Sequence, residues 1–203
     1  FEITSGIDYD RSRLTRRLRE AYNLYAAAEP ALDTFLVGLR TEEERYLLLG
    51  LGDKVTALHE LRRLNGAWAA LYWAMAGETD ETQRQHLLET ALSGFDDVSR
   101  SARDAARKYN ALLGAGIALR ESGRGSEAQA AFERIGESTA AAALSARARY
   151  EKARLFMQVK RFEEARKELA ALGAMSTRHL SPEEAGAAFY MRLAPLIRAY
   201  SFA

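Results

Sequence analysis

At 203 residues the chain is long enough for one sizeable domain or two small ones. Apolar residues make up 48% and charged residues 28%, which excludes a disordered chain and a membrane bundle. The 29 basic residues nearly cancel the 28 acidic ones, which argues against a nucleic-acid binder that uses its whole surface.

With no cysteine, disulfides, thiol chemistry and cysteine-ligated metal are all removed. The longest uncharged run, 64–77, is fourteen residues, short of the about 20 that a membrane-spanning helix needs. From the N-terminus onward the dominant period is helical. Leu14, Leu18, Tyr22 and Tyr25 form one stripe along the first segment. Pro30 suits the first turn of a second helix carrying Leu32, Phe35, Leu36 and Leu39. Thr41 with Glu44 makes a capping box for a short helix ending at Leu49.

Gly50 and Gly52 then break the pattern, and Asp53 is expected to cap a long helix reaching Ala76. Its broad apolar face holds Val55, Leu58, Leu61, Leu64, Trp68, Leu71, Tyr72 and Met75. Trp68, Tyr72 and Met75 are expected in the core. Trp73 points to a second apolar side, as in a helix packed centrally between neighbours; an exposed aromatic at a partner site is the alternative. Beyond Gly77 the helices shorten, with starts signalled at Asp80 with Gln83, Ser101 with Asp104, Ser126, and Ser181-Pro182. No alternating strand pattern of useful length occurs, so the fold class is all-α.

Laid over itself at an offset of 37 residues, the chain brings three columns into step. They are Ala91, Ala128 and Ala165; Phe95, Phe132 and Leu169; and Val98, Ile135 and Leu172. In one copy Leu112, Ala115-Gly116, Leu119, Gly123, Ala128, Phe132 and Ile135 follow in order. In the next, Ala153, Phe156, Phe162, Ala165, Leu169 and Leu172 do the same. This pattern resembles the tetratricopeptide repeat family, in which a small residue in helix A faces a small residue in helix B and an aromatic follows one turn later. The chain departs from that family in three extra residues per repeat around 136–139, and in lacking the proline that closes helix B. The first copy is degenerate, and residues 1–66 match only as helices.

The resemblance implies a right-handed α-solenoid of antiparallel helix pairs, with repeats at about 67–98, 101–136 and 140–172 and a C-terminal helix at 182–199. Residues 1–66 form an N-terminal helical region packed on repeats spanning 67–203, in one continuous domain. It further implies a concave inner surface lined by helix A of each pair. In one copy that surface carries Asn110, Leu113, Ile117, Arg120 and Glu121; in the next it carries Arg147, Tyr150, Arg154, Met157 and Gln158. Arg147, Tyr150 and Arg154 fall at i, i+3 and i+7, a basic and aromatic face suited to a carboxylate-bearing peptide. Of the lysines and asparagines with which some members grip a C-terminal carboxylate, only Asn110 has a counterpart. Charge shifts along the repeats: 78–98 holds six acids against Arg84 alone, while 144–172 holds eight basic residues against four acidic.

Catalytic signatures are missing. His59, His86 and His179 are scattered, and His86 with Glu89 reads as a surface pair, so neither a metal nor a cofactor is expected. Gly50-Leu51-Gly52-Asp53-Lys54 lacks the spacing and preceding strand of a phosphate loop, and reads as a helix end followed by a helix start. There is no G-x-S-x-G elbow. The adjacent carboxylates Asp96-Asp97, Glu163-Glu164 and Glu183-Glu184 point to different sides of a helix and cannot face each other within it. Arg11, Arg13, Arg16, Arg17 and Arg19 cover the arc of the first helix left free by its apolar stripe, and read as a solvated face.

These readings converge on a non-enzymatic scaffold or adaptor that binds another protein or peptide, with an acidic one fitting the basic face. No nucleic-acid partner or direct membrane contact is expected, and oligomer formation is compatible with the sequence. Two alternatives stay open: a self-assembly module of a larger bacterial cell-envelope protein, and an anionic-surface binder acting through the arginine-rich first helix. A start at Phe1 rather than Met, with no cysteine, leans towards a bacterial envelope or periplasm; the cytoplasm is the alternative.

Overall fold

The computed structural model describes residues 11–41, 50–76, 79–136 and 142–175. Among them every regular element is a helix: α1 (Arg11–Thr41), α2 (Leu51–Met75), α3 (Glu81–Ser101), α4 (Ala105–Glu121), α5 (Gly125–Gly136), α6 (Ala142–Gln158) and α7 (Phe162–Ala174). The expected helix to Leu49, the 136–139 insertion beyond Gly136, His179 and the 182–199 helix lie outside the described residues. Contacts divide the chain into two units, 1–94 and 95–203, so that α3 contributes to both. The 66/67 junction falls inside α2.

In the first unit, α1 does not restart at Pro30 but runs through it for 31 residues. An interior proline removes one helical donor and costs about 3 kcal/mol. Neighbouring bonds hold the turn regardless. The Thr34 hydroxyl donates to the Pro30 carbonyl at 2.8 Å, and the buried Arg62 of α2 donates to the Tyr25 carbonyl at 2.9 Å and to Glu29 Oε1 at 2.7 Å. A local breaker has been overridden by a tertiary clamp.

α2 begins earlier than its sequence signal. Gly50 takes a left-handed φ of 59° as the residue before the helix, and Asp53 sits inside the first turn, where the helix dipole favours it, rather than at the cap. A Cβ on Gly66 would lie 3.3 Å from Tyr25 Cβ, and a Cβ on Gly94 would lie 3.0 Å from Ala67 Cβ. Small residues thus bring α1 and α3 close to α2 on two sides. That choice of faces corrects the expected core. Trp73 is buried with its ring centroid 5.7 Å from that of Tyr22, whereas Tyr72 and Met75 are exposed and Trp68 is half-buried. The alanine-rich arc took the packed positions because it admits closer helix approach.

In the second unit α4 packs on α5, α5 on α6 and α6 on α7, with α4 also touching α6. Asp104 starts α4 by accepting from the Arg107 amide at 3.1 Å. All nine residues of the three sequence columns are buried, from Ala91, Phe95 and Val98 through Ala165, Leu169 and Leu172. The period reappears in the backbone. At the end of α4 the Arg124 amide bonds the Leu119 carbonyl at 2.8 Å, and the Gly123 amide bonds that of Arg120 at 3.0 Å. At the end of α6 the Arg161 amide bonds the Phe156 carbonyl at 2.8 Å, and the Lys160 amide bonds that of Met157 at 3.1 Å. Both are Schellman closures, 37 residues apart. Gly123 takes its left-handed φ of 76° freely, but Lys160 adopts φ 60° with a side chain. Because that conformation costs an L-residue about 1–2 kcal/mol, Lys160→Gly is expected to stabilise the protein by about 1 kcal/mol in denaturant unfolding.

Candidate partner-binding site

The ten residues assigned to a partner surface all lie on α4 and α6, and the structure sorts them by burial. Leu113, Ile117 and Arg120 are buried, which corrects their expected place on an open surface. Asn110, Glu121, Arg147, Tyr150, Arg154 and Met157 are half-buried, and Gln158 is exposed. The physical reason for burying a guanidinium is Glu151, a carboxylate that the sequence reading did not single out. Arg120 Nη1 donates to Glu151 Oε2, and Arg120 Nη2 donates to Glu121 Oε1 at 2.6 Å. Neither Arg120 nor Glu151 is accessible to solvent to any useful degree, at 4% each. A charge so deep is tolerated only when paired and hydrogen-bonded.

Glu151 also receives Arg154 Nη1 at 3.4 Å, so one carboxylate lies between two guanidiniums from different helices. Arg154 keeps 41% of its side chain in solvent, and its contact to Glu151 is long. Its guanidinium therefore retains donor capacity for a second carboxylate. Arg147, Glu151 and Arg154 fall at i, i+4 and i+7 on α6, which was the available signal for Glu151. Beside them Tyr150 leans on the buried cluster of Ala146, Ala153, Leu169 and Leu172, which fixes its ring from below.

The opposite side of α6 is anchored as well. Lys152 Nζ lies 3.0 Å from Glu133 Oε1 on α5 and 2.9 Å from Glu168 Oε1 on α7, and Arg149 Nη1 donates to Glu168 Oε2 at 3.0 Å. Burial by itself lowers the Lys152 pKa, but hydrogen bonds to Glu168 and Glu133 together outweigh it and hold the ammonium above its ordinary value. Hydrogen bonds from Gln129 and then Lys152 hold the Glu133 carboxyl below its ordinary range. Arg161 stacks its guanidinium 4.5 Å from the Phe156 ring centroid and bonds Gln129 Oε1 at 3.1 Å. These contacts clasp α5, α6 and α7 together and fix α6 as the rigid carrier of Arg147, Tyr150 and Arg154.

Elsewhere Arg13, Arg16, Arg17 and Arg19 are exposed along α1. His59 Nε2 is 2.9 Å from Asp33 Oδ1, a contact between α1 and α2, and His86 is exposed on α3. Among the described residues no three His, Asp or Glu side chains converge as a metal site requires, and no helix is long and apolar enough to cross a membrane. No protein-family model, curated protein or solved structure matches this chain.

Proposed function

We propose that the protein is a non-enzymatic scaffold whose second unit binds another protein or peptide through the α4 and α6 face of a tetratricopeptide-like stack. The recurrence of buried small and large columns together with the paired Schellman closures supports reading α4–α5 and α6–α7 as successive helix pairs of a right-handed solenoid. The observation that carries the binding role is the row Arg147, Tyr150, Arg154 and Met157, half-buried at i, i+3, i+7 and i+10 on a clasped helix. Arg120 acts beneath it: Arg120 holds Glu151, and Glu151 orients Arg154. An acidic segment fits this face, its carboxylate on Arg154 and its apolar neighbours on Tyr150 and Met157.

The test compares the parent with Arg147→Ala/Arg154→Ala in affinity capture from the source cell, followed by peptide mapping. A captured protein should be lost from the double variant while its far-ultraviolet circular dichroism spectrum stays that of the folded helical parent. Equal capture by the two proteins would sink the assignment.

A further inference from the structure

From α3 onward, arginines recur in pairs with an acid three positions away: Arg84 with Glu81, Arg100 with Asp97, Arg124 with Glu127, Arg161 with Glu164 and Arg166 with Glu163. α1 departs from this habit. Residues 11–28 hold five arginines and a single acid, Glu20. Three positions either side of Arg16 stand Arg13 and Arg19, so this row sets like charge where the later helices set opposite charge. Among the described residues Arg16, Arg17 and Arg19 are exposed and bond no carboxylate, Glu20 included. The first turn of α1 carries no acid either, and the helix dipole disfavours cations towards that end. Two local costs accumulate on one exposed surface, and an external anion would offset both.

Towards its C-terminus the same side of α1 turns apolar. At about 100° per residue Arg16, Arg17, Glu20, Leu24, Ala31 and Phe35 share one arc, and all six are exposed, Leu24 by 71% and Phe35 by 48%. Tyr22, Tyr25 and Glu29 meet α2 from the opposite arc, and among the described helices α1 packs on α2 alone. From Arg16 to Phe35 the arc runs about 28 Å, a straight outer edge and not a pocket. We propose that this edge adsorbs to an anionic lipid bilayer, with the guanidiniums on phosphate headgroups and Leu24 and Phe35 at the acyl boundary. A nucleic acid would satisfy the arginines but leave both apolar side chains in water, whereas a bilayer surface takes up both kinds of group. The spread of charge points the same way. Arg17 and Arg19 stand about 160° apart around the helix, so a rigid anionic partner would have to wrap it to reach both. Mobile headgroups rise around a partly sunk helix, and long side chains snorkel up to them.

This edge belongs to the first unit and shares no residue with the α4 and α6 face, so either proposal stands if the other fails. The full chain should cosediment with vesicles of equal parts phosphatidylcholine and phosphatidylglycerol but not with phosphatidylcholine alone, and added salt should weaken the binding. Arg16→Gln/Arg17→Gln/Arg19→Gln should lower partition onto the anionic vesicles about a hundredfold, at roughly fivefold per arginine. Lysines at the same three positions should keep most of the binding. Lys108→Gln/Arg134→Gln/Lys167→Gln removes equal charge from exposed positions of the second unit and should bind as the parent does. Leu24→Ser/Phe35→Ser should weaken binding about tenfold, with every variant keeping the helical circular dichroism spectrum. Failure of the parent to bind the anionic vesicles, equal loss in the second-unit variant, or unchanged binding of the glutamine or serine variant would each overturn the proposal. Tighter binding to a DNA duplex than to the vesicles at the same salt would overturn it too.

Discussion

Glu151→Gln should cost about 3–5 kcal/mol, because it removes one charge of a buried pair and leaves the Arg120 guanidinium with Glu121 alone. The substitution keeps volume and shape, so the loss reports charge rather than packing. Arg120 has a side chain with no solvent exposure, and Glu121 Oε1 accepts from its second guanidinium nitrogen. With Glu151 neutral, that guanidinium keeps one carboxylate where it had two. For a chain of this size the loss corresponds to a fall of about 6–20 °C in melting temperature, read by far-ultraviolet circular dichroism. The companion variant Arg120→Met/Glu151→Leu separates mechanism from mere damage. Removing both charges together should restore stability to that of the parent or raise it by about 1–4 kcal/mol. If Glu151→Gln melts with the parent, the pair is solvated in solution and its role beneath Arg154 is lost with it.

The contrast between what the sequence revealed and what it hid follows from the range of the interactions involved. The all-α class and the buried columns were legible because a small residue facing a small residue, with an aromatic one turn on, must recur wherever helix pairs repeat. The turn at Gly123 was legible for the same reason, whereas its counterpart at Lys160 was masked by a residue that the left-handed conformation disfavours. Pro30 misled because Arg62, thirty-two residues away, supplies tertiary bonds that no local rule contains. On α2 periodicity could not choose between faces, since both were apolar; alanines and glycines decided which side the neighbours could approach.

Arg120 was misplaced because its partner is thirty-one residues distant, though Glu151 was visible in the stripe shared by Arg147 and Arg154. A basic face read from one helix alone overlooks the acid packed between its arginines. The consequence is specific: this face of α6 carries Arg154, 41% in solvent, beside a buried ion pair rather than an open field of guanidiniums.

Phe132→Ala is expected to cost about 3–5 kcal/mol, since the ring is 1% exposed and its removal leaves a cavity among rigid helices. Leu169→Ala, at the matched position, should cost about 2–5 kcal/mol. Overpacking the same crossing should also destabilise, by about 1–3 kcal/mol for Ala128→Leu or Gly116→Ala, because a Cβ on Gly116 would lie 2.5 Å from the Phe132 ring. The chain already contains the compensated version of this pair. Thirty-seven residues after Gly116 stands Ala153, and thirty-seven after Phe132 stands Leu169, and both are buried in one cluster. A larger residue on the first helix therefore accompanies a smaller one on the second. Gly116→Ala/Phe132→Leu should accordingly be more stable than the sum of its single variants predicts, by a coupling of about 0.5–3 kcal/mol in a denaturant double-mutant cycle. Strict additivity would show that the two positions do not meet as the repeat register requires, and the correspondence between the two helix pairs would fall with it.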